Sequence, residues 1–177
     1  MASNIKPILN LTIDIETLGT KPGCVITEVA MKSFSLVEEE QVDFPEEWHC
    51  HISVISCLMN HLTVDENTIN WWTRPEKAEA LEILYSGQAK ANSLDYAMKE
   101  LYTRLTDYAK KYDIYIFGRG VGTFDLPILD YAMRQVIGDS YRTPWQFWQV
   151  MDLRSIYRFC EWCGMVKQAP DTKLTNH

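Results

Sequence analysis

Asp14-Ile15-Glu16-Thr17 closes an apolar run, Ile8 to Ile15, near the start of the chain. Side chains two apart on a strand point to one face, so the two carboxylates would stand together at about 6–7 Å Cα spacing. Two acids at the end of an otherwise apolar strand make a poor core and a good cradle for a divalent cation. Hard cations take carboxylate oxygens and keep positions open for water and substrate phosphates. Asp-x-Glu triplets are common by chance, and what distinguishes this one is its place after Leu9-Asn10-Leu11-Thr12-Ile13. A further acid, Asp125, lies in Gly122-Thr123-Phe124-Asp125-Leu126-Pro127-Ile128-Leu129, where a glycine-rich loop gives way to a helix. Taken alone, Asp125 reads as an N-cap before a proline-containing first turn. The functional alternative is a third metal carboxylate brought to the Asp14/Glu16 strand end.

The elements that would position these residues follow from periodicity. After the first strand, Leu18-Gly19-Thr20-Lys21-Pro22-Gly23 carries turn chemistry. Cys24 to Phe34 reads as a second strand, with Val25, Thr27, Val29 and Met31 alternating against Ile26, Glu28 and Ala30. Val37 to Phe44 is expected as a third strand, followed after Pro45 by His49 to Ile55, all in an antiparallel meander. From Asp65 the pattern turns helical, and Pro75 suits the first turn of a helix through about Leu84. Ser93 is a good N-cap for a long helix to about Tyr112. Leu94, Ala97, Met98, Leu101, Leu105 and Tyr108 give that helix one apolar face. Ile114 to Phe117 is a short β-rich run bounded by Gly118, Gly120 and Gly122; Leu126 to Ile137 and Asp152 to Trp162 read as helices. Strands first, then helices alternating with further strands, imply a mixed α/β sheet covered by helices.

At 177 residues the chain fits one domain, able to bury about 70% of its unfolded surface. Its 46% hydrophobic and 23% charged content is that of a globular protein. No window reaches 18 uninterrupted apolar residues, and the start of the chain shows no basic segment leading into an apolar one. No membrane association is expected, and a cytoplasmic location is. Five cysteines, an odd number, argue for reduced thiols over a disulfide framework. A net charge of −7 counts against a broad basic nucleic-acid-binding surface. It is compatible with an enzyme that meets phosphates through bound cations.

Four ordered blocks then resemble one family. They are Asp14-Ile15-Glu16-Thr17-Leu18-Gly19, Thr68-Ile69-x-Trp71-Trp72, the glycine loop with Phe124-Asp125-x-Pro127-Ile128-Leu129, and Pro144-Trp145-x-Phe147-Trp148 followed by Asp152-x-Arg154. Together with the terminal Lys173-Leu174-Thr175-Asn176-His177 they resemble the DnaQ-like, or DEDDh, 3′-5′ exonucleases. The match is closest to the ribonuclease T-like branch that contains a T-even phage exodeoxyribonuclease and mycobacterial exoribonucleases. The resemblance implies a ribonuclease H-like mixed five-stranded sheet flanked by helices, in a single exonuclease domain over residues 1–177. It implies hydrolysis of DNA or RNA from a free 3′ end with two Mg²⁺ or Mn²⁺ ions. Asp14, Glu16 and Asp125 would hold the metal, with Asp14 bridging both ions. His177 would act as general base, and Thr17, Leu18 and Phe124 would meet the terminal nucleotide. Ribonuclease T-like enzymes often pair, so a homodimer is also within the resemblance. The family's last motif is His-x₄-Asp and the sequence ends at His177. The end of the family domain and its fourth carboxylate are therefore expected to be missing, with weaker metal binding at one site and reduced cleavage. That departure also gives the competing reading, a non-catalytic nucleic-acid- or protein-binding module with an incomplete nuclease site.

Other side chains have competing uses. Cys160-Glu161-Trp162-Cys163 has C-x-x-C spacing, and His49, Cys50, His51, Cys57 and His61 are further zinc-type ligands. Structural zinc normally needs two such pairs brought together, and helical spacing makes a packed helix face the better account of Cys160 and Cys163. Trp71, Trp72, Trp145 and Trp148 suit base stacking, although tryptophan pairs at helix starts more often pack a core. Arg119, between two glycines, is either a phosphate contact or a solvated loop residue. The Glu38-Glu39-Glu40 and Glu46-Glu47 runs read as a solvated hairpin tip.

Overall fold

The computed structural model describes residues 6–36 and 47–166. The expected strand at Val37 to Phe44, most of the acidic hairpin tip and His177 lie outside these residues. Among the described residues five strands form one mixed sheet in the order β3-β2-β1-β4-β5. They are β1 (Ile8–Thr17), β2 (Ile26–Phe34), β3 (Glu47–His51), β4 (Asp113–Gly118) and β5 (Val150–Asp152). The first three make the antiparallel part, while β4 runs parallel to β1 and β5 parallel to β4. This is the α/β, ribonuclease H-like arrangement expected from the sequence.

The period-2 pattern of β1 divides the sheet into two faces. Leu9, Leu11, Ile13 and Ile15 are buried on one face, whereas Thr12 and Asp14 are exposed on the other. The apolar side is covered by α4 (Leu94–Lys111) and α5 (Asp125–Ile137), which pack on each other and on β4 and β1. Ser93 caps α4 by accepting from the Tyr96 amide, and Leu94, Ala97, Met98, Leu101 and Leu105 are its buried face. The remaining helices are α1 (Val54–Met59), α2 (Glu66–Trp72), α3 (Ala78–Gln88) and α6 (Leu153–Trp162). Among the described residues no helix is long and apolar enough to cross a membrane.

Three local expectations differ from the structure. The His49 to Ile55 strand stops at His51, because the Ser53 hydroxyl accepts from the Ser56 amide and starts α1 there. Pro75 opens a short 3₁₀ turn, Pro75–Lys77, and α3 follows it. Among the described residues no element packs over the face expected for Cys160 and Cys163: Leu153, Ile156, Tyr157, Phe159 and Trp162 of α6 are exposed, as is Cys163, while Cys160 is half-buried. Helical spacing fixes which residues share a face but not whether another element covers it.

Candidate active site

The parallel pairing of β1 with β4 ends at Thr12↔Phe117, while β1 continues for five residues to Thr17. That overhang has lost its neighbour on the β4 side, and its backbone groups there need other partners. Asp125 supplies one. The chain leaves β4 through the loop at 118–124, where Gly120 takes φ +74°, a left-handed conformation suited to glycine. The Gly120 carbonyl accepts from the amides of Thr123 and Phe124. This tight loop starts α5 beside the overhang, and Asp125 Oδ1 accepts from the Ile15 amide at 3.2 Å. Phe124, and not Asp125, occupies the N-cap position, and it makes no side-chain cap. The N-cap reading of Asp125 is thus replaced by a bond to a strand 110 residues away in sequence.

The other end of the overhang is fixed by α2. The Thr17 carbonyl accepts from Trp72 Nε1 at 2.9 Å, and the Leu18 carbonyl from the Asp65 amide at 2.8 Å. Asp65 also caps α2 through the Thr68 amide. Gly19 lets the chain turn here, since a Cβ at this position would lie 2.6 Å from Cys24 Cβ. Trp72 is buried, so removing its donor strands a buried carbonyl. Trp72→Phe is expected to cost about 1–3 kcal/mol in urea unfolding. An unchanged midpoint would show that the bond contributes nothing.

The result brings three carboxylates to one corner of the sheet, near enough for their charges to repel, although their oxygens do not all lie within 4.8 Å of one another. Asp14 is exposed, Glu16 is half-buried and Asp125 is buried at 5% exposure. Burial, followed by repulsion from Asp14 and Glu28, raises Glu16 to about 7, with a smaller contribution from Asp125 and an opposing one from Lys77. Burial and then Asp14 raise Asp125 to about 6, against the lowering effect of its own amide and that of Ile15. Carboxylates that repel one another at the mouth of a sheet are groups whose repulsion a bound cation would relieve. The donors are all oxygens, which fits Mg²⁺ or Mn²⁺ better than a thiolate- or imidazole-preferring metal. The site also lies at the carboxyl ends of parallel strands, where open α/β sheets place their ligands.

Of the other expected residues, Phe124 is half-buried next to Asp125. Thr17 and Leu18 are buried; the Thr17 hydroxyl donates to the Gly19 carbonyl and the Leu18 amide to the Val25 carbonyl. Arg119 is exposed on the loop, and Arg154 Nη1 lies 3.9 Å from where a Gly120 Cβ would stand. Trp72 and Trp145 belong to the core, whereas Trp148 is 56% exposed beside Phe147. Cys57 is buried, and burial pushes its thiol up to about 11. Sequence reasoning missed Lys77 and Glu28, which act on Glu16 from other elements. For Glu28, its outward place in the β2 alternation was the available signal.

Residues 9–177 match the profile of a family described as Rv2179c-like, a 3′-5′ exoribonuclease domain. No curated protein matches the chain significantly. Among solved structures, product-bound exonuclease I superimposes with a TM-score of 0.60 at 16% identity, over 95% of this chain and 35% of that one. E. coli exonuclease I with a dT13 oligonucleotide gives 0.58 at 17% identity, over 93% and 32%. The zinc-bound form of the E. coli ExoI–ssDNA complex gives 0.58 at 17%, over 94% and 32%. This chain thus spans about a third of the length of those enzymes, and at such identity the likeness is one of fold.

Proposed function

Since the chain belongs to the Rv2179c-like 3′-5′ exoribonuclease domain family, within the DnaQ-like superfamily, we propose that it is a metal-dependent 3′-5′ exonuclease of the DEDDh type acting on RNA or DNA. The observation that carries this reading is that Asp125 is fixed to the Ile15 amide, between Asp14 and Glu16 in sequence, so that the three carboxylates feel one another's charge. These three carboxylates would hold two Mg²⁺ or Mn²⁺ ions, which supply charge stabilisation to the attacking and leaving oxygens of a phosphodiester displacement. Asp14, two residues from Glu16 on the same face, is the residue able to serve both ions.

The rest of the work falls to the protein's own groups. His177, assigned from the family resemblance, takes the proton of the attacking water, a task suited to an imidazole near neutral pH. The half-buried Phe124 ring offers a stacking surface to the terminal base. Thr17 and Leu18 form the adjoining wall, with their backbone groups already engaged and therefore rigid. Arg119 and Arg154 flank the glycine loop and meet backbone phosphates, which compensates locally for the acidic overall charge. The exonuclease domain extends over residues 1–177 in this reading.

The test is a titration of Mg²⁺ and of Mn²⁺ with 5′-labelled single-stranded RNA and DNA. A ladder growing from the 3′ end, present with metal and absent with chelator, is the expected result. Binding without shortening under every metal condition would establish the non-catalytic module instead.

A further inference from the structure

A second group of metal-capable side chains lies beside the carboxylate cluster and has a different donor chemistry. The β1–β2 register places Glu28 directly opposite Glu16, and the β2–β3 register places His51 opposite Glu28 and His49 opposite Ala30. All four side chains therefore share the face of the sheet opposite the one that α4 and α5 cover. Glu28 stands between the two imidazoles, with Oε1 2.6 Å from His49 Nε2 and Oε2 3.4 Å from His51 Nδ1. The two rings meet edge to face with centroids 4.5 Å apart. One ligand atom from each of the three residues falls within 4.8 Å of the others. Four-coordinate zinc, with bonds of about 2.0–2.1 Å, holds its ligands about 3.4 Å apart. The three side chains need to move little to enclose such an ion.

The surroundings of His51 show that its ring is held in place. Gly87 lies in the last turn of α3, one residue before its end at Gln88. A Cβ there would lie 2.5 Å from His51 Nδ1 and 2.6 Å from its Cε1. The helix backbone thus lies directly against the imidazole, in a space that any larger residue would take from it. Main-chain bonds hold the same stretch of strand: the Asn92 amide donates to the His51 carbonyl, and the Ile52 amide to the Thr27 carbonyl. His51, 25% exposed at its side chain, is the more enclosed histidine of the trio, and His49, 44% exposed, is the open side.

We propose that Glu28, His49 and His51 bind a transition-metal dication of the Zn²⁺ class, at a site separate from the Asp14/Glu16/Asp125 cluster. Two imidazole nitrogens and one carboxylate select zinc-like ions over Mg²⁺, which demands oxygen ligands. Three protein ligands leave a fourth position for water or a substrate oxygen, as in open zinc sites. The neighbouring all-oxygen cluster keeps its preference for Mg²⁺ or Mn²⁺, so one sheet face carries two metal sites of different selectivity.

The experiment uses the untagged full chain, stripped with chelator and titrated with Zn²⁺ and with Co²⁺ in millimolar Mg²⁺. Calorimetry gives the stoichiometry, and the visible absorption of Co²⁺ reports ligation by nitrogen. The expected result is one equivalent of zinc-like ion that survives in the Asp14→Asn/Asp125→Asn double variant. In that background His49→Ala should weaken binding about a hundredfold or more, since even outer-shell partners of a metal commonly matter 10–100-fold. Gly87→Ala should weaken binding by displacing the His51 ring while both histidines remain. Circular dichroism establishes that each variant is folded, and His49→Gln replaces His49→Ala if that variant is not. Absence of zinc binding overturns the proposal. So does binding lost in the aspartate double variant, or binding indifferent to His49.

Discussion

Asp14→Asn is expected to lower metal-dependent release of nucleotides by about a thousandfold without unfolding the protein. In the two-metal reading, Asp14 is the carboxylate shared by both ions, so its loss weakens both at once. Metal stabilisation of transition-state charge is worth several kcal/mol, and about 4 kcal/mol corresponds to a thousandfold in rate. The fold is expected to survive because the Asp14 side chain faces away from the core, where Ile13 and Ile15 are 2% and 5% exposed. Its charge is also a source of repulsion on Glu16 and Asp125, so the metal-free variant should melt no lower than the parent. The check is a single-turnover rate on a labelled oligonucleotide beside a melting curve in chelator. A rate within tenfold of the parent would remove Asp14 from the catalytic centre. A large fall in melting temperature would show that it has a structural role instead.

Much of this architecture can be read from local pattern. The alternation of β1 puts Asp14 and Glu16 on one face whatever the rest of the chain does. The Ser93 cap and the spacing from Leu94 to Leu105 define α4 without tertiary help. The Asp125 environment is less legible, because a side chain before a helix has a plausible local partner in its own first turn. What decides its role is that β4 pairs only as far as Thr12 and leaves the Ile15 amide to be satisfied. Such a vacancy belongs to the sheet and not to either segment alone. The same holds for Glu28 and the two histidines. Their meeting depends on strand register, and a one-residue slip of β3 would turn His49 and His51 to the other face. The β1–β2 register is itself irregular between Glu16 and Thr17, where Thr17 pairs with Ile26. Gly87, unremarkable in sequence, has meaning only once α3 lies on His51. The exposed apolar residues of α6 make the opposite point, that a strong helical pattern does not guarantee a covering layer.

Stability of the metal-free chain should fall as pH rises from about 4 to about 7, and divalent metal should restore it. Glu16 and Asp125 have folded-state values raised from 4.5 to about 7 and from 3.8 to about 6, in each case by burial first and then by Asp14. A raised carboxylate binds its proton more tightly in the folded state than in the unfolded chain. Its favourable contribution is therefore complete below the unfolded value and disappears as pH climbs through the folded one. Both groups move stability in the same direction over the same interval. After allowing for solvent screening around half-buried Glu16 and for the repulsion the groups share, the combined effect is about 3 kcal/mol. For a chain of this size that amounts to about 6–12 °C in melting temperature. A cation bound only by the folded state works against the same penalty, by neutralising the charges and by mass action. Melting curves at pH 5 and pH 8, in chelator and in Mg²⁺ or Mn²⁺, separate the two contributions. Asp125→Asn should flatten the pH dependence in chelator and reduce the gain from metal together. If metal gives the same increment at both pH values, or if Asp125→Asn alters neither slope, the carboxylates do not share a cation.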